Sequence, residues 1–317
     1  MRSPVETGHS TIAASLTAIL LAISMACGEA KPVLPTFPGA PRQPAPPTSP
    51  GSPDEPVPSS YFELSGDLYL ADSSGAILRL LTQGGWPSWS PDGRRIVFHR
   101  GGRVRVIDAD GANEVELAVG QWPTWSPDGS RIAFACATGF CLMNADGSGG
   151  RTLMSPALVA SHYWGVGKPS WSPDGALIVF DEPAAYDMGF TAMIFAMSAD
   201  GTSQYHLAGD SRYETEPSWS PDGSRVVFWS VDHGVGIAAR GGGRTVQLNR
   251  DESASFFARP AWSPDGRVIS FNGRPLGSAI MTISPEGGIT RVLIERGVDA
   301  AWSPCGTRIA FVTVMPR

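Results

Sequence analysis

From Tyr61 onward the apolar residues come in short runs, many alternating with polar ones, and nothing recurs at helical spacing. One stretch shows the grammar. "WPSW", starting at Trp86, reads as extended chain, and "SPDG" follows it. Pro91 fixes the backbone at a turn's second position, Asp92 suits the third, and Gly93 accepts the left-handed conformation that closes the turn. "RRIVFHR" then reads as a β-branched and aromatic strand, "RVRVIDA" as an alternating one, "DADG" as a second tight turn and "NEVELAV" as a fourth strand. The pattern predicts four strands joined by hairpins in a unit of about 40 residues.

The same sentence is written six times. Its tryptophans are Trp89, Trp125, Trp171, Trp219, Trp262 and Trp302, separated by 36, 46, 48, 43 and 40 residues. The second turns follow suit, with "NADG" at Asn144, "SADG" at Ser198, "RGGG" at Arg240 and "SPEG" at Ser284. No such unit can bury its apolar faces alone, so neighbouring units must stack. After "WSPCG" the last copy has only "TRIAFVTVMPR", enough for one further strand. Before the first motif stand "DLYLADSSG" and "AILRLLT", two strands without a parent. Joined, these halves complete one unit. The expected fold is all-β: a six-bladed β-propeller of four-stranded antiparallel blades, closed by N- and C-terminal strands sharing one blade, which leaves no free sheet edge.

The repeated P-x-W-S-P-D-G-x-x-I-x-F, covering nearly all of 61–317, resembles the propeller repeat of the TolB family, also found in the propeller domains of prolyl-oligopeptidase-like peptidases. The resemblance implies a binding or scaffolding module. Cys305 replaces the motif aspartate in the sixth copy. TolB itself carries an additional N-terminal α/β domain where this chain has a proline-rich segment, which weakens any carry-over of TolB's particular partners.

The first 59 residues are of another kind. Arg2 opens a polar start, an apolar run spans Thr11 to Ala26, and Cys27 follows. Sixteen residues fall short of the about 20 that span a bilayer, and the arrangement describes an export signal. "SMAC-G" resembles a bacterial lipobox, with Ser24 where leucine is usual, so Cys27 is either lipidated or incidental to plain secretion. Residues 31–59 are so rich in proline that they read as an extended spacer. The expected division is a signal at 1–26, a tether at 27–59 and the propeller at 60–317, in an exported, membrane-anchored monomer of the periplasm or cell surface. The chain has a net charge of −6 and only two lysines, Lys31 and Lys168, which gives no electrostatic case for nucleic acid.

Little in the sequence argues for catalysis. Five motif aspartates, Asp92, Asp128, Asp174, Asp222 and Asp265, share one local setting, whereas a catalytic group needs a neighbour the others lack. They are expected to bond their own turn amides, and the tryptophans to wedge between neighbouring units. A G-x-S-x-G elbow is missing, as is the arginine triad of a sialidase. His99, His162, His206 and His233 are scattered and read as satisfied surface residues. No cofactor is called for; a cation in the central channel stays open, with no ligand set to hold it. Cys136 and Cys141 flank a short hairpin loop, as a disulfide contributing about 2 kcal/mol or as two thiols.

Two places stand out for binding. The long segments 155–167 and 181–190 should rise on one side and bring His162, Tyr163, Trp164 and Tyr186 together, as a ligand site or a lid. Three positions before each motif tryptophan stand Trp86, Trp122, Lys168, Glu216, Arg259 and Asp299, a circle where the innermost strands begin. Its charges either pair between units on an exposed rim or, with the two tryptophans, form a mouth that stacks on a sugar ring or an aromatic side chain. The function expected is non-catalytic recognition of an envelope protein or glycan. The alternative is a propeller-type polysaccharide lyase or glycosidase acting in the central depression.

Overall fold

The computed structural model describes residues 66–136, 139–154, 167–186, 189–208, 213–232, 234–249, 258–273 and 279–313. Every regular element among them is a β-strand. The signal, Cys27 and the tether lie outside the described residues, as do His162, Tyr163, Trp164 and His233.

Four sheets have four strands each and a fifth has seven. In the second repeat, Gln121–Trp125, Arg131–Cys136, Gly139–Asn144 and Arg151–Met154 pair antiparallel in chain order. Repeats three to five follow the same order. The seven-stranded sheet turns on the 13-residue strand Ile77–Trp89. Its first part pairs with Gly66–Asp72 as far as Gly84, opposite Gly66; from Gly85, opposite His99, it pairs with Arg95–Arg100. On the far side of Gly66–Asp72 lies Arg308–Thr313, with Asp67 opposite Thr313 and Asp72 opposite Arg308, and beyond it Gly297–Trp302. Strands from the two ends of the described chain thus share one sheet. Each repeat's innermost strand touches the next, and the sixth touches the first.

The repeated turn holds itself together. Gly93 (φ 67°) donates its N–H to the Ser90 carbonyl at 2.9 Å, and Asp92 Oδ1 accepts the Ser90 hydroxyl at 2.6 Å and the Arg94 N–H at 3.1 Å. Asp128, Asp174, Asp222 and Asp265 repeat the arrangement. The bond from the Ser220 hydroxyl is the main influence holding the Asp222 carboxyl below the usual range. With Cys305 in the aspartate's place, the sixth turn still closes through the Gly306 N–H to the Ser303 carbonyl at 2.8 Å, because its backbone carries the turn.

Each motif tryptophan packs at a seam. Trp125 lies in one cluster with Val97 and Val104 of the preceding repeat, and Trp219 in one with Val179 and Ile194 of the repeat before its own. Arginines cap several of these rings across the seam: Arg95 stands 4.8 Å from the Trp125 ring centre and Arg225 5.1 Å from that of Trp262. The motif phenylalanines are buried, and Gly120 makes room for one of them. A Cβ there would stand 2.5 Å from the Phe134 ring and 2.6 Å from the Ala135 carbonyl oxygen. Cys136 and Cys141 are joined as a disulfide across their hairpin, with Cα atoms 5.9 Å apart.

Candidate functional site

Where the innermost strand begins, five of the six repeats make the same unusual move, the third with Lys168 being the exception. Trp86, Trp122, Glu216, Arg259 and Asp299 have φ of 57°, 53°, 61°, 49° and 58°. A left-handed backbone costs a residue with a side chain roughly 1–2 kcal/mol. The pairing with the next strand skips at the same point, between Gly85 and Ser88, Gln121 and Thr124, Thr215 and Ser218, and Val298 and Ala301. These are β-bulges, which re-aim a side chain and are common near functional sites. Here they turn the side chains of successive repeats toward one another around a centre.

The expected rim is a buried cluster. Glu216, Arg259 and Asp299 are all less than a tenth exposed, which replaces the weak surface pairs anticipated from sequence with desolvated ones. Arg259 joins three repeats: its Nε donates to Glu216 Oε1 at 3.2 Å, its backbone N–H to Glu216 Oε2 at 2.8 Å, and its Nη1 to Asp299 Oδ1. The same guanidinium lies over the Trp86 ring, 3.5 Å from its centre, and Lys168 Nζ stands 5.9 Å from that centre. Trp122 meets Trp86 edge-on with ring centres 5.9 Å apart, and His99 stacks beside Trp86 at 6.4 Å. Trp86 is therefore enclosed, whereas Trp122 and Lys168 are half-buried. Lys168 has no ion pair or hydrogen bond among the described residues; it meets its neighbours only through charge and the Trp86 ring.

A second shell of polar groups went unnoticed in the sequence. His99 Nδ1 accepts the Trp122 N–H at 3.3 Å, Asp181 Oδ1 the Glu216 N–H at 3.0 Å, and Asn272 Oδ1 the Asp299 N–H at 3.1 Å. Each stands directly after the motif phenylalanine, in repeats one, three and five, where the other repeats have Ala135, Trp229 and Val312. A polar residue breaking that apolar run was the signal. His99 is only 1 % exposed, so it is a buried acceptor and not the surface histidine expected of it.

Burial dominates the titration of this cluster. It pushes the Glu216 carboxyl up to about 7 against the pull of Arg259, and Asp181 up to about 6. It pushes the His99 imidazole down to about 4 and lowers the Lys168 ammonium despite Asp299 and Glu216 nearby. No group of three or more metal-ligating side chains occurs among the described residues.

A cavity of about 210 Å³ adjoins the cluster, and all six repeats line it. Trp86, Lys168, Glu216 and Arg259 border it at one end, and its walls continue along the innermost strands toward the SPDG turns, reaching Trp302 and Pro304. Of the other residues singled out in the sequence, Tyr186 ends the strand Leu177–Tyr186, paired with Gly189 across the hairpin.

This geometry fits what comparison with known proteins finds. A family model described as the TolB beta propeller domain matches residues 101–315. The chain belongs to that family. Among solved structures, a protein assigned as TolB from Agrobacterium tumefaciens is similar over 80% of this chain and 99% of its own, at 19% identity and a TM-score of 0.65. TolB from Acinetobacter baumannii is similar over 80% of this chain and 65% of its own, at 20% identity and a TM-score of 0.52. An oligogalacturonate lyase in complex with manganese is similar over 69% of this chain and 67% of its own, at 15% identity and a TM-score of 0.53. At these identities the likeness is one of fold. No curated protein matches the sequence. The TolB-like propeller is thereby established for this chain.

Proposed function

We propose that this TolB-like chain is a closed six-bladed ring, exported and lipidated at Cys27, and that it works as a non-catalytic binding or scaffolding module of the bacterial envelope. The pairing of Arg308–Thr313 with Gly66–Asp72 supports the closure, and the cyclic contacts of the six innermost strands support the blade count. The apolar run before Cys27 supports export, and the proline-rich segment supports a tether. One observation carries the non-catalytic reading. The central carboxylates are engaged by the protein itself: both oxygens of Glu216 accept bonds from Arg259, and Asp299 takes the other end of the same guanidinium. A general base must have reach to a substrate proton, and these groups face one another.

The alternative, a polysaccharide lyase or glycosidase, draws on the near-neutral titration of Glu216 close to the half-buried Lys168. Two experiments separate the readings. The full chain, used as bait on solubilised envelope fractions, should recover a partner whose binding is reproduced with purified components, while panels of plant and bacterial polysaccharides remain uncleaved. Release of unsaturated or reducing ends that disappears in Glu216→Gln would establish the enzyme. For the anchor, Cys27→Ala should move the protein from the membrane to the soluble fraction and abolish lipid labelling; unchanged membrane retention would refute acylation at Cys27.

A further inference from the structure

The cavity beside the charged cluster has two unlike sides. Two positions after each residue of the central circle, the innermost strands place Ser88, Thr124, Ser170 and Ser218 in the first four repeats and Ala261 and Ala301 in the last two. All six are half-buried. None of the four hydroxyls has a hydrogen-bond partner among the described residues. One arc of the wall therefore offers donors and acceptors, and the arc facing it is apolar, with Trp302 and Pro304 extending the two alanines. The Trp302 Nε1–H is tied back to Ser270 Oγ at 3.0 Å, so its polar atom is satisfied and its ring is left as an apolar wall.

The end of the cavity carries both signs. Lys168 and Arg259 face Glu216 and Asp299, with Asp181 behind Glu216. Arg259 is held by both acids, while Lys168 keeps its donors. A ligand charge of either sign would meet a like charge there in a poorly solvated place. A ligand of hydroxyls and C–H faces would not. The volume, about 210 Å³, lies at the small end for ligand pockets, which run from about 300 Å³ upward, and suits one ring and not a chain of them.

We infer that this cavity, entered from the face carrying the SPDG turns, binds a single neutral, hydroxylated ring such as an uncharged sugar, its C–H face against Trp302 and Pro304 and its hydroxyls toward Lys168 and the Ser88–Thr124–Ser170–Ser218 arc. It deepens the binding-module reading on which it rests and moves the glycan from the expected loop-side mouth, where Arg259 covers Trp86, to the opposite side of the cluster.

The test uses the full chain and purified neutral methyl hexosides as probes, read by saturation-transfer NMR and by quenching of tryptophan fluorescence. At least one hexoside should bind saturably at millimolar concentration, and uronic acids and amino sugars should bind more weakly. Lys168→Met should weaken binding about ten-fold, the effect of one charge-assisted hydrogen bond. Ser170→Tyr fills the cavity from its wall and should abolish binding while the melting curve stays cooperative. Ser218→Ala, which adds no volume, gives a second reading should the tyrosine unfold the protein, and should weaken binding measurably. Absence of binding by every neutral hexoside, preference for a charged sugar, or binding unchanged in Ser170→Tyr and Ser218→Ala would overturn the inference. If no neutral hexoside binds but the wild type still captures a protein partner, the binding module stands and only the sugar site falls.

Discussion

The SPDG turns and the central cluster are both made by repetition, yet they use it in opposite ways. At the turns, one side chain is placed in one backbone five times, and each aspartate accepts the same bonds from the serine two residues before it and the amide two residues after. At the centre, one backbone, left-handed in five of six repeats, carries six positions filled by tryptophan, lysine, glutamate, arginine and aspartate. The turns are local and self-contained. The bonds that Glu216, Arg259 and Asp299 make run between repeats, and the guanidinium of Arg259 reaches the Trp86 ring of another. Repetition builds the scaffold, and the departures from it are where the molecule becomes particular.

That contrast orders the consequences of disruption. The largest belongs to the sheet shared by the two ends of the described chain. Removing 307–317 takes out the strand between Gly297–Trp302 and Gly66–Asp72, and should abolish cooperative unfolding and expose edges that aggregate. Calorimetry showing an undisturbed transition would contradict a closed ring. Next comes the central cluster. Arg259→Met leaves Glu216 and Asp299 buried without their cation and should cost about 3–5 kcal/mol by chemical denaturation. A loss below 1 kcal/mol, typical of exposed pairs, would mean that the centre is wet.

Smaller effects test the packing between. Gly120→Ala drives a Cβ into Phe134 and a backbone oxygen and should cost about 1–3 kcal/mol. The turns should be mildest: Asp222→Asn should cost about 1 kcal/mol. The folded Asp222 carboxyl lies below its ordinary range, so its contribution is present above the unfolded value of 3.8 and fades as pH falls through the folded one. The gap between wild type and Asp222→Asn should accordingly close in acid. A gap that persists there would locate the effect elsewhere than in the charge.

The scaffold was legible because its signals are local. Proline, aspartate and glycine declare the turn within four residues, and six copies declare the repeat. The central positions were legible as a circle for the same reason, by their fixed offset from Trp89, Trp125, Trp171, Trp219, Trp262 and Trp302. What those positions do was not legible. Much of their burial comes from other repeats, as in the Arg259–Asp299 and Arg259–Glu216 contacts at separations of 40 and 43. The left-handed backbone was hidden for a related reason: tryptophan and glutamate before proline do not advertise positive φ, and tertiary packing imposes it. His99 looked like a stray histidine until the Trp122 amide arrived from the next repeat. Gly120 carried a legible clue, standing alone before an extended run, but the Phe134 ring that requires it is on another strand.

The claim on which the account turns is that the centre is a dry interlock and not an open mouth. Its most direct measurement is the titration of Glu216 by carboxyl-carbon NMR, assigned with Glu216→Gln. Burial raises this group from 4.5 to about 7 in the folded state, so its protonated form stabilises the fold below pH 4.5 and that stabilisation is lost as pH rises through about 7. A dry centre predicts a Glu216 midpoint near 7, and a stability advantage of wild type over Glu216→Gln that shrinks between pH 4.5 and 7. A midpoint at the ordinary value near 4.5, with no change in that advantage over the same range, would contradict it.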